Sequence, residues 1–169
     1  LIRVRPTRGT DIGRLEAVER SAATLFRALP DLAWLAEDRT AGPEAHARAV
    51  AQGLSWVAVD EVDQPAGFLI AAVEDGADLH VLELSVAADH QGRGAGRALM
   101  QTARREAETR ALSALTLTTC AGVAWNAPFY ARLGYTALTA ETTPAYLREA
   151  LAAQAEHCLT DRVAMRLKL

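Results

Sequence analysis

Residues 90–100, HQGRGAGRALM, place three glycines and two arginines within eight positions and then run into an Ala/Leu-rich helical pattern. Glycines at that spacing let the backbone turn successive N–H groups toward an anion. Three phosphate-binding patterns compete for the stretch. A Walker A loop needs Lys and Ser/Thr after its last glycine, whereas Gly96 is followed by Arg97 and Ala98. The dinucleotide fingerprint G-x-G-x-x-G accepts Gly92 and Gly94 but meets Arg97 at its third glycine. LTLTT stands where that fingerprint wants an acidic residue for a ribose hydroxyl. Q-x-x-G-x-G fits, through Gln91, Gly94 and Gly96, with Arg93 and Arg97 adding charge and a helix N-terminus adding its dipole. That chemistry is the cradling of a pyrophosphate. A strand-to-helix turn merely eased by glycines is the alternative that this stretch alone leaves open.

A second block, Asn126-Ala127-Pro128-Phe129-Tyr130-Ala131-Arg132-Leu133-Gly134-Tyr135, reads as a short helix. Asn126 caps it, Pro128 sits in its first turn and Gly134 ends it. Tyr130 is either a core aromatic beside Phe129 or a proton donor, since a phenol with a reference pKa near 10 keeps its proton at neutral pH. Cys120 reads as a small buried hydrophobe in preference to an acyl-carrying nucleophile.

The elements that must position these residues follow from patterning. IRVRP is a first strand, and Asp11 caps a helix with apolar positions Ile12, Leu15, Val18, Ala22, Leu25 and Phe26. A second helix starts at Gly42-Pro43 and runs through Ala45, Ala49 and Val50. SWVAVD and AGFLIAAVE form a hairpin around DEVDQP, and LHVLELSV is the strand that feeds the glycine loop. In the helix after the loop, Ala95, Ala98, Leu99, Thr102, Ala103 and Ala107 line one face. Arg97, Gln101, Arg104, Arg105 and Glu108 line the other. LTLTT, YTALT and RVAMRLKL are further strands, and PAYLREALAAQAE is a last helix. The fold class expected is α+β, with a mixed, mostly antiparallel sheet of about six to seven strands and about four to five helices. The 169 residues suit one domain, residues 1–169.

A net charge of −3 gives no reason to expect nucleic acid or an anionic membrane as partner, and no run of about 18 apolar residues predicts a membrane span. LIRVRPTRGTD lacks the apolar stretch of a secretory signal. Cys120 and Cys158 form no C-x-x-C, so neither a disulfide nor zinc is expected, and a cytoplasmic location follows. His46, His80, His90 and His157 form no metal motif. The lone lysine, Lys168, is poorly placed for a Schiff base.

Together the two blocks resemble the GNAT superfamily of acyl-CoA-dependent N-acetyltransferases. Motif A of that family, an L-x-V strand followed by Q/R-x-x-G-x-G/A, is similar to Leu84-Ser85-Val86 followed by Gln91-Gly92-Arg93-Gly94-Ala95-Gly96. Its motif B is similar to the Asn126–Tyr135 block. The element order also matches, so the resemblance covers nearly the whole chain. One departure is Ala88, where such proteins often carry Pro.

The resemblance implies acetyl-CoA as acyl donor, no metal, and direct transfer to a primary amine of a small molecule or peptide. The pantetheine arm would lie in a split between LHVLELSV and LTLTT, bonded by backbone near Leu84, Ser85 and Val86, with an N–H there polarising the thioester carbonyl. Gln91, Gly92, Arg93, Gly94, Ala95, Gly96 and Arg97 would hold the pyrophosphate. Asn126 would bond the arm or only cap its helix. Tyr130 matches the family's general acid. His80 and Glu83 are both candidates for the base that takes the amine proton; strict alternation puts them on opposite faces of the strand unless it carries a bulge, which is a family feature. Glu19, on the first helix, would face the acceptor. A homodimer through the C-terminal strand and helix is a family-level expectation. A non-catalytic acyl-CoA sensor is the alternative, and an unrelated nucleotide-binding regulator a third reading.

Overall fold

The computed structural model describes residues 2–157 and 159–169. Seven strands, β1 (Arg3–Pro6), β2 (Ser55–Val59), β3 (Pro65–Glu74), β4 (Asp78–Val86), β5 (Ala114–Cys120), β6 (Thr136–Ala137) and β7 (Arg162–Lys168), form one sheet in the order β1-β2-β3-β4-β5-β7-β6. The α-helices are α1 (Ile12–Ala23), α2 (Gly42–Ala51), α3 (Ala95–Thr109), α4 (Ala127–Arg132) and α5 (Ala145–Glu156). β4 and β5 run parallel, while β1–β2, β2–β3, β5–β7 and β6–β7 are antiparallel. The α+β class with a mostly antiparallel mixed sheet is thus the fold expected from the patterning.

The chain forms two compact units. In the first, residues 2–72 and 82–105, every residue of β2 is buried, because SWVAV carries small or apolar side chains at both parities and so can be covered on both faces. Leu15 and Val18 of α1 and Ala49 of α2 join Val57, Val59, Phe68 and Ile70 in one apolar core. Gly67 of β3 is required by packing: a Cβ there would stand 3.0 Å from the Ser85 carbonyl oxygen and 3.1 Å from Val86 Cγ2. Along α3, Ala95, Leu99, Ala103 and Ala107 are buried, whereas Arg97, Gln101, Arg104, Arg105 and Glu108 are exposed, as the three-four spacing predicts.

Two local expectations need correction. Leu25 and Phe26 do not continue α1. The helix ends at Ala23, Thr24 Oγ1 donates back to the Ser21 carbonyl (2.7 Å), and Thr24–Ala28 and Pro30–Glu37 are 3-10 turns. Pro30 forces Leu29 out of the helical region, to φ −111° and ψ 105°. Asp11 does not cap α1 with its side chain. Its carboxylate accepts from Arg5 at 2.7 and 3.1 Å and from the Arg8 N–H at 2.7 Å, and the buried guanidinium holds it below the usual carboxylate range.

In the second unit, residues 73–81 and 106–169, β5 pairs with β7 from Ala114–Lys168 to Cys120–Arg162. Its ladder with β4 has three rungs, Asp78–Ala114, Leu79–Leu115 and His80–Thr116. Gly134, at φ +94°, ends α4 as expected of a C′ glycine. Cys120 is buried; Cys158, the other half of the expectation of unpaired thiols, lies outside the described residues.

Candidate active site

In the first unit, β4 delivers the chain into the glycine loop. Ser85 is buried, but the strand opens just before it: Leu82 is 48% exposed, and Glu83 and Leu84 are half-buried. After β4, the Ala88 N–H donates to Ser21 Oγ of α1 at 3.0 Å. Gln91 Nε2 donates to the Val86 carbonyl at 2.9 Å. The Gln91 side chain therefore braces the loop against the strand that precedes it.

Gly92 and Gly94 take φ of +72° and +87°, which only glycine adopts without strain. A Cβ on either would meet nothing within 4 Å, so torsion demands the glycines and the space beside them is open. The Gly94 carbonyl accepts from the Ala98 N–H (3.0 Å) and so starts the α3 ladder. The N–H groups of Ala95, Gly96 and Arg97 then fall in the first turn, where a helix supplies no acceptor of its own. Arg93 and Arg97 are exposed beside them.

Glu83 Oε1 accepts from Ser85 Oγ at 2.9 Å. Glu19, half-buried on α1, accepts the Ala41 N–H with both oxygens, at 3.1 and 3.0 Å. Burial first, and the Glu83 charge second, push the Glu19 carboxyl up to about 7. The two carboxylates are thus electrostatic neighbours, although they stand far apart in the sequence.

His80, Asn126 and Tyr130 belong to the second unit. Asn126 is the N-cap of α4 but makes no side-chain cap bond. Its Oδ1 accepts from Thr119 Oγ1 at 2.8 Å, while its buried Nδ2 has no hydrogen-bond partner. This corrects the capping reading, since the amide is turned onto β5. Tyr130 is buried, edge-on to Phe129 (centroids 5.1 Å apart) and Tyr135 (6.0 Å).

His80 is buried, its Nδ1 lies 3.0 Å from Thr116 Oγ1, and its ring meets Tyr146 edge-on at 5.7 Å. Sequence reasoning missed its surroundings altogether: Thr116, Tyr146, Asp78 and Arg166. Burial lowers the His80 pKa to about 4. An unfolded imidazole titrates near 6.5, so between pH 6.5 and about 4 the unfolded chain binds a proton that the folded one refuses. The His80 contribution is present above 6.5 and is lost as the pH falls through that window, to a limit of about 3 kcal/mol. Glu19 acts in the opposite sense over a similar range, so the measurement is a difference. From pH 7 to pH 4, wild type should lose about 3 kcal/mol relative to His80→Asn in urea unfolding. Parallel pH profiles would show that His80 is solvated.

Residues 51–137 match the family model described as acetyltransferase (GNAT) domain, and they make up more than half of the chain. The chain belongs to the GNAT acetyltransferase family. Solved structures similar to it include an acetyltransferase of the GNAT family from Staphylococcus aureus, with TM-score 0.76 and 13% identity over 100% of this chain and 99% of that one. Rv2747 of Mycobacterium tuberculosis, solved with CoA, gives 0.74 and 16% over 99% of both. PaiA N-acetyltransferase of Thermoplasma acidophilum, solved with coenzyme A, gives 0.73 and 15% over 100% and 99%. At such identities the likeness is one of fold.

The GNAT match spans the glycine loop, Asn126 and Tyr130. Taken by itself, the loop of the first unit, with the first-turn N–H groups of α3 and two exposed arginines, suits an anion such as a pyrophosphate. In the second unit, the unpartnered Asn126 Nδ2 suits a carbonyl acceptor. Among the described residues, no group of three or more His, Cys, Asp or Glu could hold a metal, and no helix is long and apolar enough to cross a membrane.

Proposed function

We propose that residues 1–169 form a single N-acetyltransferase domain that moves the acetyl group of acetyl-CoA directly to a primary amine of a small molecule or peptide. The observation that carries this is the loop 91–97, where two left-handed glycines open the N-terminus of a 15-residue helix beside two exposed arginines. Membership of the GNAT family supports acyl transfer, and the N-acetyltransferase name of the Thermoplasma acidophilum neighbour supports an amine as acceptor.

Acetyl-CoA brings an acyl group activated as a thioester. Gln91 to Arg97 bind its pyrophosphate, and Asn126 Nδ2 donates to its arm. Leu84, Ser85 and Val86 offer backbone to the arm, with a backbone N–H near Val86 polarising the thioester carbonyl. As the amine nitrogen bonds to the carbonyl carbon and the C–S bond breaks, Tyr130 Oη gives a proton to the departing sulfur. The proton lost by the amine passes to Glu83 or His80. The Glu19–Glu83 locale favours a cationic acceptor, because a second carboxylate lowers the potential around the first. With a sequence of so few cysteines, the same proposal places the protein in the cytoplasm.

A thermal melt tests the cradle. Acetyl-CoA at about a hundred times its Kd should add about 2.7 kcal/mol and raise the midpoint by several degrees, at about 2–4 °C per kcal/mol. NAD and ATP should leave it unmoved. An equal shift with ATP, or none with acetyl-CoA, would refute the acetyl-CoA site. A specific shift without thiol release across a panel of primary amines would instead mark a sensor.

A further inference from the structure

Asp78, at the start of β4, is buried and ion-paired: Arg166 Nη2 donates to its two oxygens at 2.9 and 3.1 Å. Tyr146 Oη of α5 donates to Asp78 Oδ2 at 3.0 Å. An ion-paired carboxylate only accepts, so the single phenolic proton of Tyr146 is committed to Asp78. Tyr146 Oη also lies 2.8 Å from Thr116 Oγ1. With the phenolic proton spent, Thr116 must be the donor of that bond. Thr116 Oγ1 is in turn 3.0 Å from His80 Nδ1. Having given its only proton to Tyr146, the hydroxyl can only accept from the imidazole. Nδ1 therefore carries the proton, and the lone pair of the neutral ring sits on Nε2.

We infer that Asp78, Tyr146 and Thr116 are positioning residues that fix His80 as its Nδ1–H tautomer, so that Nε2 is a permanent acceptor for an N–H donor. Arg166 sets the direction of the chain by keeping Asp78 an acceptor. His80 and Thr116 also form the last rung of the β4–β5 ladder, so both ends of their hydrogen bond ride on a fixed backbone pair. On the acetyl-transfer reading, which this step rests on, the N–H donor is the amine. A proton leaving the nitrogen as the C–N bond forms enters at Nε2, and the resulting imidazolium still donates from Nδ1 to Thr116. The proton then passes to water.

The test needs neither acetyl-CoA nor turnover, so its failure is distinct from failure of the acetyl-transfer reading. Two-bond 1H–15N correlation spectra of the histidine rings at pH 7 report which nitrogen is protonated, and the His80 signals are assigned by their loss in His80→Asn. Wild type should show a protonated Nδ1 and a lone-pair Nε2 at His80. Tyr146→Phe frees the Thr116 proton to point at Nδ1, and Thr116→Val removes the Nδ1 partner. Both should move His80 toward the Nε2–H form. A protonated Nε2 in wild type, or an unchanged His80 in either folded variant, would overturn the inference.

Discussion

Tyr130→Phe should lower kcat by about 100-fold while leaving the acetyl-CoA-induced thermal shift intact, with the general-acid contribution spanning about 10²–10⁴. The lower end applies because the leaving group is a thiol, whose reference pKa near 8.5 makes the thiolate a tolerable leaving group unaided. The same argument sets a pH signature. The deficit should be largest at pH 6–7, where a departing sulfur needs a proton, and should narrow as the pH rises past about 8.5. Loss of the hydroxyl keeps both edge-on contacts, with Phe129 and with Tyr135, so the variant should fold. A pH-rate comparison of the two proteins at saturating acetyl-CoA decides it. Unchanged turnover would return Tyr130 to the role of a core aromatic, and an equal deficit at every pH would point to lost positioning.

Much of this could be read from one sequence because it is local. Three-four spacing gave α3 its buried and exposed faces, and Gly92, Gly94 and Gly134 stood where left-handed backbone was needed. Where local signals misled, a nearby competitor had taken the residue. Arg5 claims the carboxylate of Asp11, Pro30 cuts short the apolar pattern at Leu25 and Phe26, and Thr119 draws the Asn126 amide away from its helix. The environment of His80 was illegible for a different reason. Tyr146 meets Thr116 across 30 residues and Asp78 across 68, and Arg166 meets Asp78 across 88. Periodicity fixes which face a side chain takes, but not which distant element covers that face. Glu19 and Glu83 became neighbours in the same way, through the packing of a helix that alternation along β4 cannot describe.

Gly94→Val carries the largest expected effect on binding. At φ +87° a β-branched residue is strained by roughly 1–3 kcal/mol. The apo protein should therefore melt several degrees lower, at about 2–4 °C per kcal/mol. Nothing lies within 4 Å of the added Cβ, so steric conflict inside the protein does not enlarge that cost. The same open space is where the pyrophosphate is proposed to sit. A side chain there displaces the ligand, and relaxation to negative φ would turn the following N–H groups out of the cradle. Either route should weaken acetyl-CoA at least about 100-fold, equivalent to about 2.7 kcal/mol. Arg93→Gln and Arg97→Gln should cost less, because both side chains are exposed and screened, and their losses should shrink as salt is raised. Isothermal titration of the three variants at two ionic strengths separates geometry from charge. Should Gly94→Val bind acetyl-CoA as wild type does, the glycine loop would be a chain reversal and the cofactor would have to be held elsewhere.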